Sequence, residues 1–127
     1  MNSMNNDNNK LITKEQLMAQ KAWERVEERC KQSKFKDYKS FAMSFPALIH
    51  TCGLVQAAAF AEAKKQSEYI SDLQKVFNEI DQAGDLKIRS REAELSEYSR
   101  ISRHAMAAAS WIKRYCQAKE VKEDEVK

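Results

Sequence analysis

Arg100, Arg103, Trp111, Lys113 and Arg114 form the constellation with the greatest chemical potential in this chain. With successive residues of a helix advancing by about 100°, Arg100, Arg103, Ala107, Trp111 and Arg114 share an arc of about 80°. That arc lies opposite an apolar face made by Tyr98, Ile101, Ala105, Ala108, Ala109, Ile112, Tyr115 and Cys116. A guanidinium pairs with phosphate through two donors, and Trp and Arg planes stack on bases. A basic face carrying an aromatic ring is what an RNA-facing helix needs. A Trp at the edge of a core face also packs against neighbouring helices, with arginines solvated or lying over it. The pattern alone leaves both readings open.

A second basic group, Lys31, Lys34, Lys36 and Lys39, encloses Phe35 and Tyr38. Lysines of this kind bind a nucleic-acid backbone without reading its sequence, or form a solvated linker. Lys87, Arg89 and Arg91 make a third group, which meets a partner or ends a loop. Lys64 and Lys65 suit a helix C-terminus, where cations favourably meet the helix dipole. Nothing points to catalysis. His50 and His104 lie on separate helices, and Cys52, two residues from His50, points elsewhere on a helix. No Ser, His and Asp arrangement stands out. Gly53 and Gly84 are the only glycines, so no phosphate-cradling loop exists. No carboxylate cluster or His-Glu-x-x-His segment offers a metal site. The expectation is a protein that is not an enzyme and uses no cofactor or metal.

Those side chains need helices to position them, and composition favours helices. The 127 residues fit one domain with a modest core. Two glycines and one proline leave no hairpin signals, while Ala, Lys, Glu and Gln abound. The balance of 22 basic and 19 acidic side chains, a net +3, does not by itself establish nucleic-acid binding. Cys30, Cys52 and Cys116 are odd in number and widely spaced, which argues against disulfides or zinc. All three fall on apolar helix faces and are expected in the core. They fit a reducing cytoplasm. No segment approaches the roughly 18 apolar residues of a membrane span, and no signal core follows Lys10.

The fold class predicted is all-α, a single-domain bundle of about five helices. Residues 1–12 are expected to be a flexible tail, 13–119 the bundle and 120–127 a fraying tail. Thr13 and Gln16 form a capping box that opens a helix to about Lys31, with Ile12, Ala19, Trp23, Val26 and Cys30 on its apolar face. A short helix is expected over about Phe35 to Ser44. Ser44 and Pro46 then open a helix to about Lys65, buried on all sides, with Gly53 marking a close helix–helix approach. Ser67 caps a fourth helix to about Gln82, whose apolar face is Tyr69, Ile70, Leu73, Val76, Phe77 and Ile80, and Gly84 follows as a left-handed cap. Asp85 to Arg91 reads as a loop or single turn. The last helix begins between Arg91 and Ser96 and runs to about Lys119.

Three segments together resemble one known family. The run Phe45-Pro46-x-x-Ile49-x-x-x-Gly53-Leu54-x-Gln56-x-x-x-Phe60-x-x-x-Lys64 is similar to the central helix of the small all-helical subunit of type III-B (Cmr) CRISPR–Cas effector complexes. Gln20-Lys21-Ala22-Trp23-Glu24-Arg25-Val26 resembles that family's first helix. Tyr98, Ile101-Ser102 and Trp111-Ile112-Lys113-Arg114-Tyr115 resemble its last. The resemblance covers residues 13–118 and departs from the family at Cys52, where a polar residue is usual. It implies a non-catalytic, cytoplasmic subunit of an RNA-guided defence complex. Copies would stack as a minor filament against the backbone subunit that holds the guide, lining the groove where guide and target RNA pair. Arg100, Arg103, Trp111, Lys113, Arg114, Lys34, Lys36 and Lys39 are the candidate RNA contacts. The rival reading is a stand-alone helical DNA-binding regulator, which would need two helices joined by a turn of about 3–4 residues, with Gly84 supplying the turn.

Overall fold

Thr13 opens the first helix as its spacing to Gln16 predicts. In the computed structural model, which describes residues 11–119, the Gln16 backbone N–H donates to the Thr13 hydroxyl at 3.0 Å. The Thr13 N–H donates back to the Gln16 side chain at 2.8 Å. Helix α1 follows as Lys14–Cys30, then α2 as Phe35–Cys52, α3 as Leu54–Ala63, α4 as Ser67–Phe77, α5 as Leu86–Glu92 and α6 as Leu95–Gln117. The described residues thus hold six α-helices, one more than the sequence predicts. Residues 1–10 and 120–127, most of the two expected tails, lie outside the described residues. No helix among the described residues is long and apolar enough to cross a membrane.

The extra helix is α5, where a loop or single turn is expected. Asp85 caps it by accepting from the Ile88 N–H at 3.1 Å. Gln74 on α4 holds its entry, accepting from the Leu86 N–H at 2.7 Å and donating to the Gly84 carbonyl at 2.9 Å. Helix α4 stops at Phe77, short of Gln82, so Gly84 lies in the connection and caps no helix. That connection, residues 78–85, is too long for the turn a helix-turn-helix requires.

The central helices also divide differently from expectation. Helix α2 runs straight through Pro46, which is buried, and Ser44 donates back to the Phe41 carbonyl without capping anything. The break comes at Gly53, with φ 86° and ψ 159°. Its N–H still donates to the Ile49 carbonyl and its own carbonyl still accepts from Ala57, so one residue turns the chain between two intact helices. A Cβ here would stand 3.3 Å from the Tyr98 hydroxyl, which itself accepts from the Val55 N–H in the first turn of α3. This backbone geometry favours glycine, and the close approach of Tyr98 from α6 tightens the space further. Helix α3 is not buried all round, since Val55, Ala59 and Phe60 are exposed.

Helix α6 is the axis of the bundle, packing along α1, α2, α4 and α5. Ile101, Ala105, Ala108, Ala109, Ile112 and Cys116 are fully buried on its predicted inward face. Tyr38, Phe41, Phe45 and Tyr69 meet in a ring cluster with centroids 5.0–5.8 Å apart. The core stripe of α1 is Met18, Ala22 and Val26; Ile12 and Trp23, expected inside, are exposed. Of the cysteines only Cys116 is buried, its thiol pushed up to about 12 by burial; Cys52 is exposed and Cys30 half-buried.

Candidate nucleic-acid interface

The outward strip of α6 is built as the helical spacing requires, but its side chains are committed differently. Arg103 and Arg114 are exposed, and among the described residues Arg103 bonds only its own helix, at the Ser99 carbonyl. Lys113 is half-buried. Trp111 lies against the core and stacks on Tyr115 at 5.7 Å, and Tyr115 meets Trp23 edge-on at 5.5 Å. Trp23, 44% exposed, is the ring of this series open to solvent, with the Lys119 ammonium 4.3 Å from its centroid. A shallow groove lined by Gln16, Ala19, Gln20, Trp23 and Tyr115 follows it.

Arg100 turns away from its neighbours to a buried carboxylate. Its guanidinium donates twice to Asp81, both at 3.1 Å, while His104 Nδ1 lies 2.7 Å from Asp81 and the Ala83 N–H donates to it at 3.0 Å. Asp81 thereby ties the 78–85 connection to α6. A His–Asp pair also makes two of the three members of a catalytic triad, but among the described residues no hydroxyl or thiol bonds the other ring nitrogen of His104. No three His, Cys, Asp or Glu among them gather to hold a metal.

Burial pushes the Asp81 carboxyl up, but the bonds from Arg100 and His104 outweigh it and hold the group below its ordinary range. A carboxyl more acidic folded than unfolded stabilises fully above the usual Asp value of about 3.9. That contribution fades as pH falls through the lower folded value. Asp81→Asn is therefore expected to destabilise at neutral pH, with the gap to wild type closing below about pH 4. Urea midpoints measured across that window check this, and a constant gap contradicts the pairing.

The second basic group separates. Lys39 donates to the Lys119 carbonyl at 2.7 Å, clasping the end of α6 to α2, and Lys119 also pairs with Glu27 on α1. Lys36 is exposed on the first turn of α2, and Phe35 and Tyr38 are buried beneath. Lys34 stands at the start of α2, beside Lys64, Lys65 and the uncapped start of α4. The third group is paired within the fold: Arg89 with Glu97 at 2.7 Å, Lys87 with Glu62 at 3.7 Å, and Arg91 with the Lys87 carbonyl.

The charged centre that the sequence concealed lies under the ring cluster. Asp72, fully buried on α4, accepts from Arg25 and Arg29 at 2.8 Å and from the Tyr38 hydroxyl at 2.7 Å. Burial, reinforced by Asp72, pushes the Tyr38 hydroxyl far above its ordinary range, so it stays a donor. The bond to Asp72 likewise raises Arg29. The sequence offers only a partial hint, a carboxylate bordering the apolar arc of Tyr69, Leu73 and Val76 and two arginines one turn apart, with nothing that joins them.

Three comparisons bear on what this arrangement serves. The family model described as CRISPR-associated protein (Cas_Cmr5) matches residues 14–119. The CRISPR system Cmr subunit Cmr5 of Thermus thermophilus is 38% identical over 109 residues, covering 84% of this chain and 95% of the relative. The crystal structure of a CRISPR-associated Cmr5 family protein, also from Thermus thermophilus, superposes with a TM-score of 0.76 at 36% identity. That match covers 85% of this chain and 97% of the other.

Proposed function

The chain belongs to the Cmr5 family of CRISPR-associated proteins, and from that premise we propose that it is a non-catalytic structural subunit of a type III-B effector complex. The observation that carries this reading is the family match over residues 14–119, which spans every described helix. Its partners are the other Cmr subunits, above all the backbone subunit holding the guide, together with further copies of itself in a minor filament. Sequence reading belongs to pairing between guide and target, as in other RNA-guided assemblies. The subunit supports the RNA through contacts indifferent to base identity. Arg103 and Arg114 favour that role, being exposed with no carboxylate partner among the described residues.

The test is target-RNA retention by the reconstituted complex carrying Arg103→Ala and Arg114→Ala. Arg100 is left intact because it anchors Asp81. Retention is expected to weaken equally for unrelated guides, and the salt slope to fall by about 0.7 for each lost phosphate contact. Unchanged affinity and slope in an intact complex would mean that this strip meets solvent or protein. The double variant's melting curve should match wild type, since the inward face of α6 is untouched.

A further inference from the structure

Lysines from two distant parts of the sequence converge on one cleft. Lys34 comes from the start of α2 and Lys64 and Lys65 from the turn after α3. Asp37, Tyr38, Gln66, Ser67 and Glu68 complete a cavity of about 370 Å³. All three lysines are exposed, and among the described residues none forms an ion pair. Lys64 Nζ rests 5.5 Å from the Phe60 ring centroid. Of the two carboxylates at the cleft, Glu68 lies 3.5 Å from the Arg29 guanidinium, which leaves Asp37 alone against three ammonium groups. Uncompensated like charge at this density disfavours the free protein, and an anion relieves it.

Lys65 adds a second observation. The Gln66 N–H donates to the Ala61 carbonyl and the Lys65 N–H to the Glu62 carbonyl, the paired bonds of a Schellman turn. The residue at its left-handed position is normally glycine, yet here it is lysine, at φ 58°. The cation sits where a residue without a side chain would be less strained.

We propose that this cleft holds a backbone phosphate of an RNA strand, with Lys34, Lys64 and Lys65 as donors. The inference rests on the reading of the chain as an RNA-supporting subunit and adds to the α6 strip a contact at the start of α2 and the end of α3. A phosphodiester offers one negative charge and two unesterified oxygens, which three mobile ammonium groups can share, and such contact carries no sequence information.

Lys65→Gly separates binding from folding, because it removes the cation while relaxing the turn. The variant is expected to melt higher than wild type. Its affinity for a labelled single-stranded oligouridine should fall roughly tenfold at low salt, with a salt slope smaller by about 0.7. Lys34→Ala and Lys64→Ala should weaken binding likewise, and Asp37→Asn should strengthen it. Unchanged oligouridine binding by Lys65→Gly overturns the proposal. So does competition by inorganic phosphate at concentrations equal to those of the oligouridine phosphates, since the cleft would then take free phosphate and not a strand. In the reconstituted complex, target retention that does not need this chain defeats the functional reading itself. Retention that needs the chain but ignores the three lysine changes together defeats only the cleft.

Discussion

Asp72→Ala is expected to destabilise the fold by about 3–5 kcal/mol, the cost of removing one partner from a buried ionic network. The carboxylate is wholly inaccessible, while Arg25 and Arg29 keep side-chain exposures of 18% and 12%. Its loss leaves Arg25 without a carboxylate among the described residues, leaves Arg29 only the longer pairing with Glu68 at 3.5 Å, and leaves the Tyr38 hydroxyl without its acceptor. Asp72→Asn should be milder, because an amide oxygen still accepts from Tyr38 while the charge is gone. Denaturant midpoints of the two variants check the ordering. Equal and small losses would show that α1 and α4 are held by apolar packing alone. The network joins α1, α2 and α4 through a single side chain, so its removal should also broaden the unfolding transition.

Gly53→Leu is expected to cost about 3 kcal/mol, mostly from the backbone. At φ 86° and ψ 159° the residue occupies a region essentially confined to glycine, where any side chain adds about 1–3 kcal/mol. The rest comes from displacing the Tyr98 hydroxyl, 3.3 Å from the position a Cβ would take, and with it the bond from Val55. Gly53→Ala separates this from the overpacking that a glycine buried in mid-helix would imply. Strain makes Ala nearly as damaging as Leu, whereas overpacking spares Ala. Melting temperatures of the two variants decide between them.

Local signals were legible in the sequence, and distant pairings were not. The Thr13–Gln16 capping box and the inward face of α6 follow from spacing within one turn or one helix, and the structure has both. Pro46 misled because a proline at a helix start and a proline tolerated inside one look alike. The difference lies in Phe35 to Phe45 already being packed as helix against α6. Trp23 misled because helical spacing puts it beside the core, while Met18 and Ala22 hold the stripe that meets the bundle. Asp72 lies 47 and 43 residues from Arg25 and Arg29, a separation at which periodicity carries no information. The same holds for the candidate site. The strip of Arg103 and Arg114 was visible on a helical wheel, but the diversion of Arg100 to Asp81 was not. Nor was the meeting of Lys34 with Lys64 and Lys65, because only the packed bundle brings those positions together.

The central claim, that this chain is a working subunit of an RNA-guided complex, is tested most directly by purifying the tagged full-length chain from cells that express the whole Cmr system. The preparation should contain the guide-holding backbone subunit and a small RNA of guide length in fixed proportion. Both should be lost when the backbone subunit is deleted. A chain recovered by itself, or bound to duplex DNA with neither the backbone subunit nor guide RNA present, would contradict the account.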